Sequence, residues 1–313
     1  MIINKIYLLE MPVFEAVLNH DLKFLRCYLE TGGNPNLRNE TGSTLLHEAV
    51  HEGDLNIVRH LLSFGASVEN LDGYGNTPMH VACIFGHKKV AEELIRFGAE
   101  IDSTSEMRTW TPLMLAINES YTDMAEWLIN QGANLNYVEC NHGWTPLLVA
   151  CEQGLKDMSI RLIKKGVKID AKLTGGDVRG RSAIHLASYY GEVDIVKELL
   201  DQGQDINLTP EGGGLSALHW SVYNNHVRLL KFLLDNGANV NIRAGGIYQS
   251  RTPLHYAVSC DRLNMAKLLL DYEADPLMKD EEGQHPVDLA LKRYRETGHL
   301  RHEKMLTLLE TYI

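Results

Sequence analysis

The chain has 313 residues and a formal net charge of −11 at pH 7. Its 44% hydrophobic and 23% charged residues are typical of a folded globular protein and exclude a disordered or collagen-like chain. The acidic balance also argues against a general nucleic-acid binder, because proteins that follow phosphates usually carry a basic surface.

The sequence shows no sign of export or of membrane insertion. No apolar stretch reaches the roughly 18 residues that a membrane span needs, and Glu10 and Pro12 fall too early for the apolar core of a secretion signal. The five cysteines are scattered and form no CxxC pair, which is typical of a reducing compartment. We therefore predict a cytoplasmic protein without membrane insertion and leave the nucleus open.

One short phrase recurs along most of the chain at intervals of 33 to 37 residues. It begins at Thr44 (TLLHEA), Thr77 (TPMHVA), Thr111 (TPLMLA), Thr145 (TPLLVA), Ser182 (SAIHLA), Ser216 (SALHWS), Thr252 (TPLHYA) and His285 (HPVDLA). A degenerate match around Phe14 and Ala16 brings the total to about nine units. Repeats of this period indicate stacked units, none of which has a core of its own.

Each unit predicts two short helices. Thr or Ser followed by Pro is typical of an N-cap and first turn, and the first helix is predicted to end at a left-handed residue, namely Gly53, Gly86, Ser120, Gly154, Gly191, Asn225 or Asp261. Of these, Ser120 suits the position least. The second helix is predicted to end at Gly65, Gly98, Gly132, Gly166, Gly203 or Gly237. In the seventh unit Glu273 replaces this glycine, and we expect looser capping there.

The TPLHxA phrase, the glycine-closed helix pair and the GAxVN-type exit resemble the ankyrin repeat family over roughly residues 11 to 313. The resemblance implies an all-α solenoid of stacked helix-turn-helix units with projecting β-hairpin loops. It predicts a single ankyrin-repeat domain over 1–313, with an N-terminal capping repeat at 1–40, seven internal repeats at 41–280 and a C-terminal capping repeat at 281–313. Two longer repeats place extra residues in extended loops at 173–181 and 244–251.

Residues 47–51 read HEAVH and match the HExxH pattern of zinc hydrolases. The repeat register favours another interpretation, because His47 occupies the same position as His80, His185, His219 and His255. In ankyrin proteins this histidine resembles a structural residue that ties neighbouring loops together. We therefore predict no enzyme activity and no catalytic, metal-binding or cofactor-binding residues. A zinc hydrolase that uses the HEAVH segment is kept as a remote alternative.

Ankyrin repeats resemble one another in binding partners through the loop tips and the exposed side of the first helix, which form a concave groove. These positions are rich in aromatic residues and arginines, which dominate the energetics of protein interfaces. The residues expected to bind a partner are Tyr74, Phe85, Trp110, Trp144, Arg179, Arg181, Tyr189, Tyr190, Tyr223, Tyr248 and Arg251. Within this set, a hot spot is predicted around Trp110, Trp144, Tyr189 and Tyr190. The alternative is that the large side chains only pack across adjacent loops.

The resemblance therefore predicts a non-catalytic scaffold or adaptor, monomeric on its own, that binds a protein partner through the groove and loops. An alternative is an ankyrin-repeat effector that an intracellular bacterium delivers to bind a host protein in the host cytosol. This alternative is motivated by the absence of a second signalling domain.

Asn207 lies in a segment that resembles the ankyrin target of the asparaginyl hydroxylase that also acts on hypoxia-inducible factor. The segment has Leu199, then five residues, then Asp205, Ile206 and Asn207, so Asn207 is a candidate for hydroxylation. The favoured alternative is that this asparagine orders its loop through side-chain to backbone hydrogen bonds.

Overall fold

The computed structural model describes residues 12–107, 109–176, 179–210 and 213–313. The chain divides after Cys140 into two compact units. All regular structure of the described residues is helical, apart from one isolated antiparallel bridge between Arg38 and Thr44. None of the helices in these ranges is both long and apolar enough to cross a bilayer. The all-α prediction is confirmed.

The first unit is described as successive helix pairs. The first helices of the pairs are α1 (residues 12–18), α3 (Leu45–His51), α5 (Pro78–Ile84) and α7 (Pro112–Asn118). The second helices are α2 (Leu22–Glu30), α4 (Leu55–Ser63), α6 (Lys88–Arg96) and α8 (Thr122–Asn130). Helix α5 packs against both α3 and α7, and α4 packs against α2 and α6. First helices therefore form one layer of this unit and second helices another.

The second unit continues the same alternation. Its first helices are α9 (Pro146–Glu152), α11 (Ala183–Tyr190), α13 (Ala217–Tyr223), α15 (Pro253–Ser259) and α17 (Pro286–Thr297). Its second helices are α10 (Lys156–Lys164), α12 (Val193–Asp201), α14 (Val227–Asp235), α16 (Leu263–Asp271) and α18 (Leu300–Glu310). Each first helix packs against the next first helix, and each second helix against the next second helix. The core lies between the layers, as repeat stacking requires.

The recurring phrase starts most first helices through a reciprocal cap, whereas α7 and α9 keep only the hydrogen bond that the Thr111 or Thr145 hydroxyl accepts. At Thr77, the hydroxyl accepts a hydrogen bond from the His80 backbone N–H, and His80 Nδ1 accepts one from the Thr77 backbone N–H. Pro78 occupies the first helical position, where its missing N–H costs nothing. Two of the backbone groups that a helix start leaves without partners are thus satisfied.

The helix ends have the left-handed backbone that the sequence predicts. The φ angles are positive at Gly53, Gly86, Gly154 and Gly191, and also at Ser120 (61°), Asn225 (63°) and Asp261 (54°). Glu273 has a φ of 66° at the glycine position of the seventh unit. A side chain in this conformation costs about 1–2 kcal/mol relative to glycine, so Ser120 and Glu273 are local weak points.

The loops between helix pairs turn back sharply, and backbone hydrogen bonds close them. The N–H groups of Asn39, Asp72 and Asp280 each donate to the carbonyl four residues later, at 2.9 Å. The first finger (residues 173–181) is closed by the Leu173 N–H and the Arg181 carbonyl. The second finger (residues 244–251) contains a 3-10 turn over Gly246–Tyr248. The projecting hairpin loops therefore consist of turns with few paired residues.

Candidate functional site

Five buried histidines each connect one helix pair to the loop that follows it. Their Nε2 atoms lie 3.0–3.1 Å from backbone carbonyl oxygens in that loop: His47 from Asn76, His80 from Ser103 and Trp110, His185 from Leu208, His219 from Arg251, and His255 from Gln284. Each Nδ1 accepts a hydrogen bond from its N-cap N–H, so Nε2 carries the proton. The predicted structural role of this histidine is confirmed. Met114 and Leu148 stand at the same position and are buried as apolar residues.

The HEAVH segment is explained by these structural contacts. Both ring nitrogens of His47 are engaged, Glu48 Oε1 accepts a hydrogen bond from Asn39 at 3.0 Å, and His51 Nδ1 lies 2.8 Å from Glu52. Burial lowers the pKa of His47. In the described ranges, no group of three or more His, Cys, Asp or Glu residues could hold a metal ion. The position of His47 in the repeat therefore explains why the segment matches the zinc pattern.

In the first unit, two of the predicted binding residues lie together. Tyr74 is 66% exposed, Phe85 is 40% exposed, and both line a pocket of about 310 Å³. Tyr74 also lines a second pocket of about 460 Å³ with Met107, which is 69% exposed. Trp110 is half-buried, and its carbonyl accepts the His80 hydrogen bond. This unit therefore presents an exposed apolar group around Tyr74.

In the second unit, five aromatic rings form a continuous row. Neighbouring ring centroids lie 5.0 Å apart from Tyr190 to Tyr189, 5.2 Å from Tyr189 to Trp220, 6.0 Å from Trp220 to Tyr223 and 6.3 Å from Tyr223 to Tyr256. All four contacts are edge-to-face or close to it, as aromatic pairs prefer. Tyr189, Tyr190 and Tyr223 remain 39–48% exposed, so the row offers an aromatic surface anchored on the buried Trp220.

The predicted arginines differ in their contacts. The guanidinium carbon of Arg181 lies 4.7 Å from the centroid of the Trp220 ring, which is a cation–π contact. Arg179 is exposed at the first finger, and Tyr248 is half-buried against the cluster around Trp220. Arg251 instead forms an ion pair at 3.2 Å with Asp280, whose side chain is fully buried. Arg251 thus fastens the second finger to the next loop.

The Asp280 carboxylate is held in its charged form. Burial alone would raise its pKa, but hydrogen bonds from the Gln284 backbone and from Arg251 lower it further than burial raises it. The pair with Arg251 therefore persists at neutral pH and keeps the second finger in place.

The remaining two predicted residues lie on the loop side of the second unit. Trp144 is half-buried just before α9. Asn207 is half-buried, and its side-chain oxygen accepts a hydrogen bond from the Asn239 N–H at 2.8 Å. Asn241 makes the same contact with Asp275 one repeat later. Asn207 therefore orders its loop, as the favoured alternative has it, and its hydroxylation stays a prediction.

Sequence reasoning missed Trp220, Tyr256 and Ile247. Trp220 and Tyr256 both occupy the variable position of the TPLHxA phrase, so two aromatics in consecutive repeats at one register position were a usable signal. Ile247 is 88% exposed in the second finger. Ile247 lies among the extra residues of a lengthened loop, which have no equivalent position in the other repeats, so its exposure could not be predicted from the repeat pattern.

Comparison with known families agrees with the helix pairs and the histidine contacts. A family model described as ankyrin repeats in three copies matches residues 13–105, 98–172 and 171–244, and a model described as ankyrin repeats in many copies matches residues 245–290. A search of curated proteins found no match. Ankyrin repeats form a protein–protein interaction module. The family models together cover most of the chain, and the chain belongs to the ankyrin repeat family.

Proposed function

We propose that this chain is a non-catalytic adaptor that binds a protein partner through the exposed side of its first helices and through its fingers. The observation that carries the proposal is the aromatic row from Tyr190 to Tyr256. Tyrosine and tryptophan supply large contact areas at a small cost in conformational entropy, and they are enriched at interface hot spots. A row that is exposed above and buried below is preorganised for binding.

The domain organisation that supports this function is a single ankyrin-repeat domain with capping repeats at 1–40 and 281–313 and internal repeats at 41–280. We propose a monomer, because one chain supplies both the aromatic row and the fingers. The cytoplasm is the proposed compartment. All five cysteines are free thiols, which suits a reducing environment.

The test is a paired capture of partners from cytosolic lysate with the native chain and a triple variant, Tyr189→Ala, Tyr190→Ala and Tyr223→Ala. These side chains are 39–48% exposed, so their removal leaves the core intact and circular dichroism should be unchanged. We expect at least one protein that the native chain retains and the triple variant loses.

A matched control removes exposed aromatics from second-helix ends. Phe64 and Phe97 are 39% and 46% exposed at the C-caps of α4 and α6. The Phe64→Ala, Phe97→Ala variant should retain the same partner. Equal capture by the native chain and the tyrosine variant would refute the assignment of the binding surface. The organism of a captured partner also separates an adaptor from an effector, since an effector would bind a host protein in preference to one of its own cell.

A further inference from the structure

The pocket of about 310 Å³ in the first unit lies between the loops at residues 38–44 and 70–76 and the helices α3 and α5. Both loops and both helices fall within residues 12–107, so every side chain that lines the pocket is described. The volume is at the lower end of the roughly 300–1,000 Å³ that is typical of binding pockets. It leaves room for one long side chain of a partner.

Two exposed aromatic side chains form walls of this pocket. Tyr74 is 66% exposed and Phe85 is 40% exposed, and the half-buried Ile84 lines the pocket beside them. The Phe85 ring makes an edge contact with the His51 ring at a centroid distance of 4.3 Å. The faces of aromatic rings carry negative charge and attract cations. Such walls favour a side chain with an apolar stem and a cationic end.

Two carboxylates line the same pocket without a cationic partner. Glu48 Oε1 accepts a hydrogen bond from Asn39 Nδ2 at 3.0 Å, which leaves Oε2 without a partner among the described residues. Asp72 accepts hydrogen bonds from the backbone N–H groups of Tyr74 and Asn76 at 2.8 Å. In the part of the chain that the structure describes, neither carboxylate forms an ion pair with Lys or Arg. The pocket is therefore complementary in charge to a cation.

The surrounding charges keep this negative balance. The segments that form the pocket, residues 38–52 and 70–85, carry one basic and four acidic residues, namely Arg38, Glu40, Glu48, Glu52 and Asp72. The guanidinium of Arg38 donates to two backbone carbonyls. The next loop, at residues 103–110, includes residue 108 outside the described ranges, and its two charges, on Glu106 and Arg108, cancel.

The walls of the pocket are held in place before any partner binds. His47 Nε2 lies 3.0 Å from the Asn76 carbonyl oxygen, which ties α3 to the loop that carries Tyr74. A Cβ atom added at Gly73 would lie 1.9 Å from the Thr41 carbonyl oxygen, so the two loops are in direct contact. A site built in this way loses little conformational freedom on binding.

We propose that this pocket binds the side chain of an arginine of a protein partner. The guanidinium stacks on the exposed Tyr74 ring and donates to Glu48, while Asp72 adds to the negative potential. Arginine suits the pocket better than lysine, because a guanidinium is planar, stacks on aromatic faces and is less strongly hydrated than an ammonium group. The assignment rests on the proposed protein-binding function and names the chemistry of the partner.

The first test uses the ring signals of Tyr74 in an NMR spectrum of protein with carbon-13-labelled tyrosine, assigned by their loss in a Tyr74→Leu variant. The probe is N-acetyl-arginine amide, and N-acetyl-citrulline amide is its neutral control of nearly the same shape. We expect the arginine probe alone to shift the Tyr74 signals, with saturation in the millimolar range for so small a ligand. An equal shift with the citrulline probe, or no shift with either, would overturn the proposal.

Two variants and a lysine probe refine this test. Glu48→Gln keeps an acceptor for Asn39 but removes the charge, so it should weaken binding of the arginine probe about ten-fold or more. Glu30→Gln removes the same charge from an exposed site at the end of α2 and should leave binding unchanged. Equal weakening by both variants would show that only the overall charge matters and would overturn the pocket assignment. Tighter binding of Nα-acetyl-lysine amide than of the arginine probe would overturn the assignment to arginine.

A second experiment separates this proposal from the proposed function. A random peptide library is selected on the native chain and on Glu48→Gln. We expect arginine to be enriched at one position of the retained peptides, and the enrichment to be lost in the variant. Peptides retained without this enrichment, or with the same enrichment in the variant, would overturn the pocket assignment while supporting protein binding. If the arginine probe binds but the native chain retains no peptides, the pocket stands and the proposed function fails.

Discussion

Acidification from pH 7 to pH 5 should destabilise this protein through its buried histidines. Burial lowers the pKa of His80, His185 and His219 from 6.5 to about 4. The hydrogen bond at Nδ1 also favours the neutral ring, because each Nδ1 accepts from an N-cap N–H and a proton on Nδ1 would remove this acceptor. These rings are therefore neutral when folded at a pH where they are charged when unfolded.

The magnitude follows from proton linkage. Because the unfolded chain binds more protons between its pKa of 6.5 and the folded value of about 4, stability is lost as the pH falls through 6.5 and the loss levels off below 4. Each of the three histidines then contributes a loss of about 2 kcal/mol between pH 7 and pH 5, and together they contribute about 6 kcal/mol. The lowered pKa values of His47 and His255 act in the same direction. The total is a large part of the 5–15 kcal/mol that typically stabilises a protein.

The assay is urea unfolding followed by circular dichroism at pH 7 and pH 5. Asp54, Asp280 and Asp288 have pKa values lowered from 3.8, so their contributions are lost mainly below this range and do not mask those of the histidines. His219→Gln keeps an amide donor and acceptor but cannot gain a proton. Its loss of stability between the two pH values should be smaller by about 2 kcal/mol than that of the native chain.

His299→Gln provides the control, because His299 is exposed at the N-cap of α18. This variant should lose as much stability as the native chain. If His219→Gln also loses as much as the native chain, or if the loss appears only below pH 4, the buried histidines are not its cause.

Two further pairs of variants test the backbone and the loops by urea unfolding. Glu273→Gly should raise the free energy of unfolding by about 1 kcal/mol, because it relieves the strain of a side chain at a φ of 66°. Gly237 lies at the same position one repeat earlier, with a φ of 83° and no atom within 4 Å of an added Cβ, so Gly237→Ala should lower the free energy of unfolding by a similar amount. Changes of the opposite signs would refute the strain argument. Asn207→Ala should lower the free energy of unfolding by about 1 kcal/mol, because it removes the acceptor of the Asn239 N–H. Asn241→Ala should lower it by the same amount, because it removes the acceptor of the Asp275 N–H. Unchanged stability in both variants would show that these contacts do not order the loops.

Features that follow the repeat register could be predicted from the sequence. The caps, the left-handed helix ends and the histidine contacts recur at fixed positions in most units, so several units independently support the same prediction. Even Ser120 adopts the left-handed backbone, as do the residues at the same position of the other units. The repeated architecture overrides the local preference of one residue.

The contacts of the binding residues could be predicted only in part. Tyr189 and Tyr190 are exposed as expected, but the sequence does not predict the ion pair of Arg251, because its partner Asp280 belongs to the next loop and is buried. Pairing of this kind depends on how two loops approach each other. Composition shows that aromatics and arginines are present, whereas their contacts require the coordinates.

Specificity in such a chain must come from its departures from the repeat. The units that carry the histidine present the same caps and the same histidine contact, so these features cannot distinguish one partner from another. The cluster around Trp220 combines three departures, namely contacts from two lengthened loops and an aromatic at the variable position of the phrase. Tyr189 and Tyr223 pack against Trp220 and are exposed. The exposed aromatic surface therefore lies where this chain departs from a regular array, and this coincidence is the strongest physical reason to begin the search for partners there.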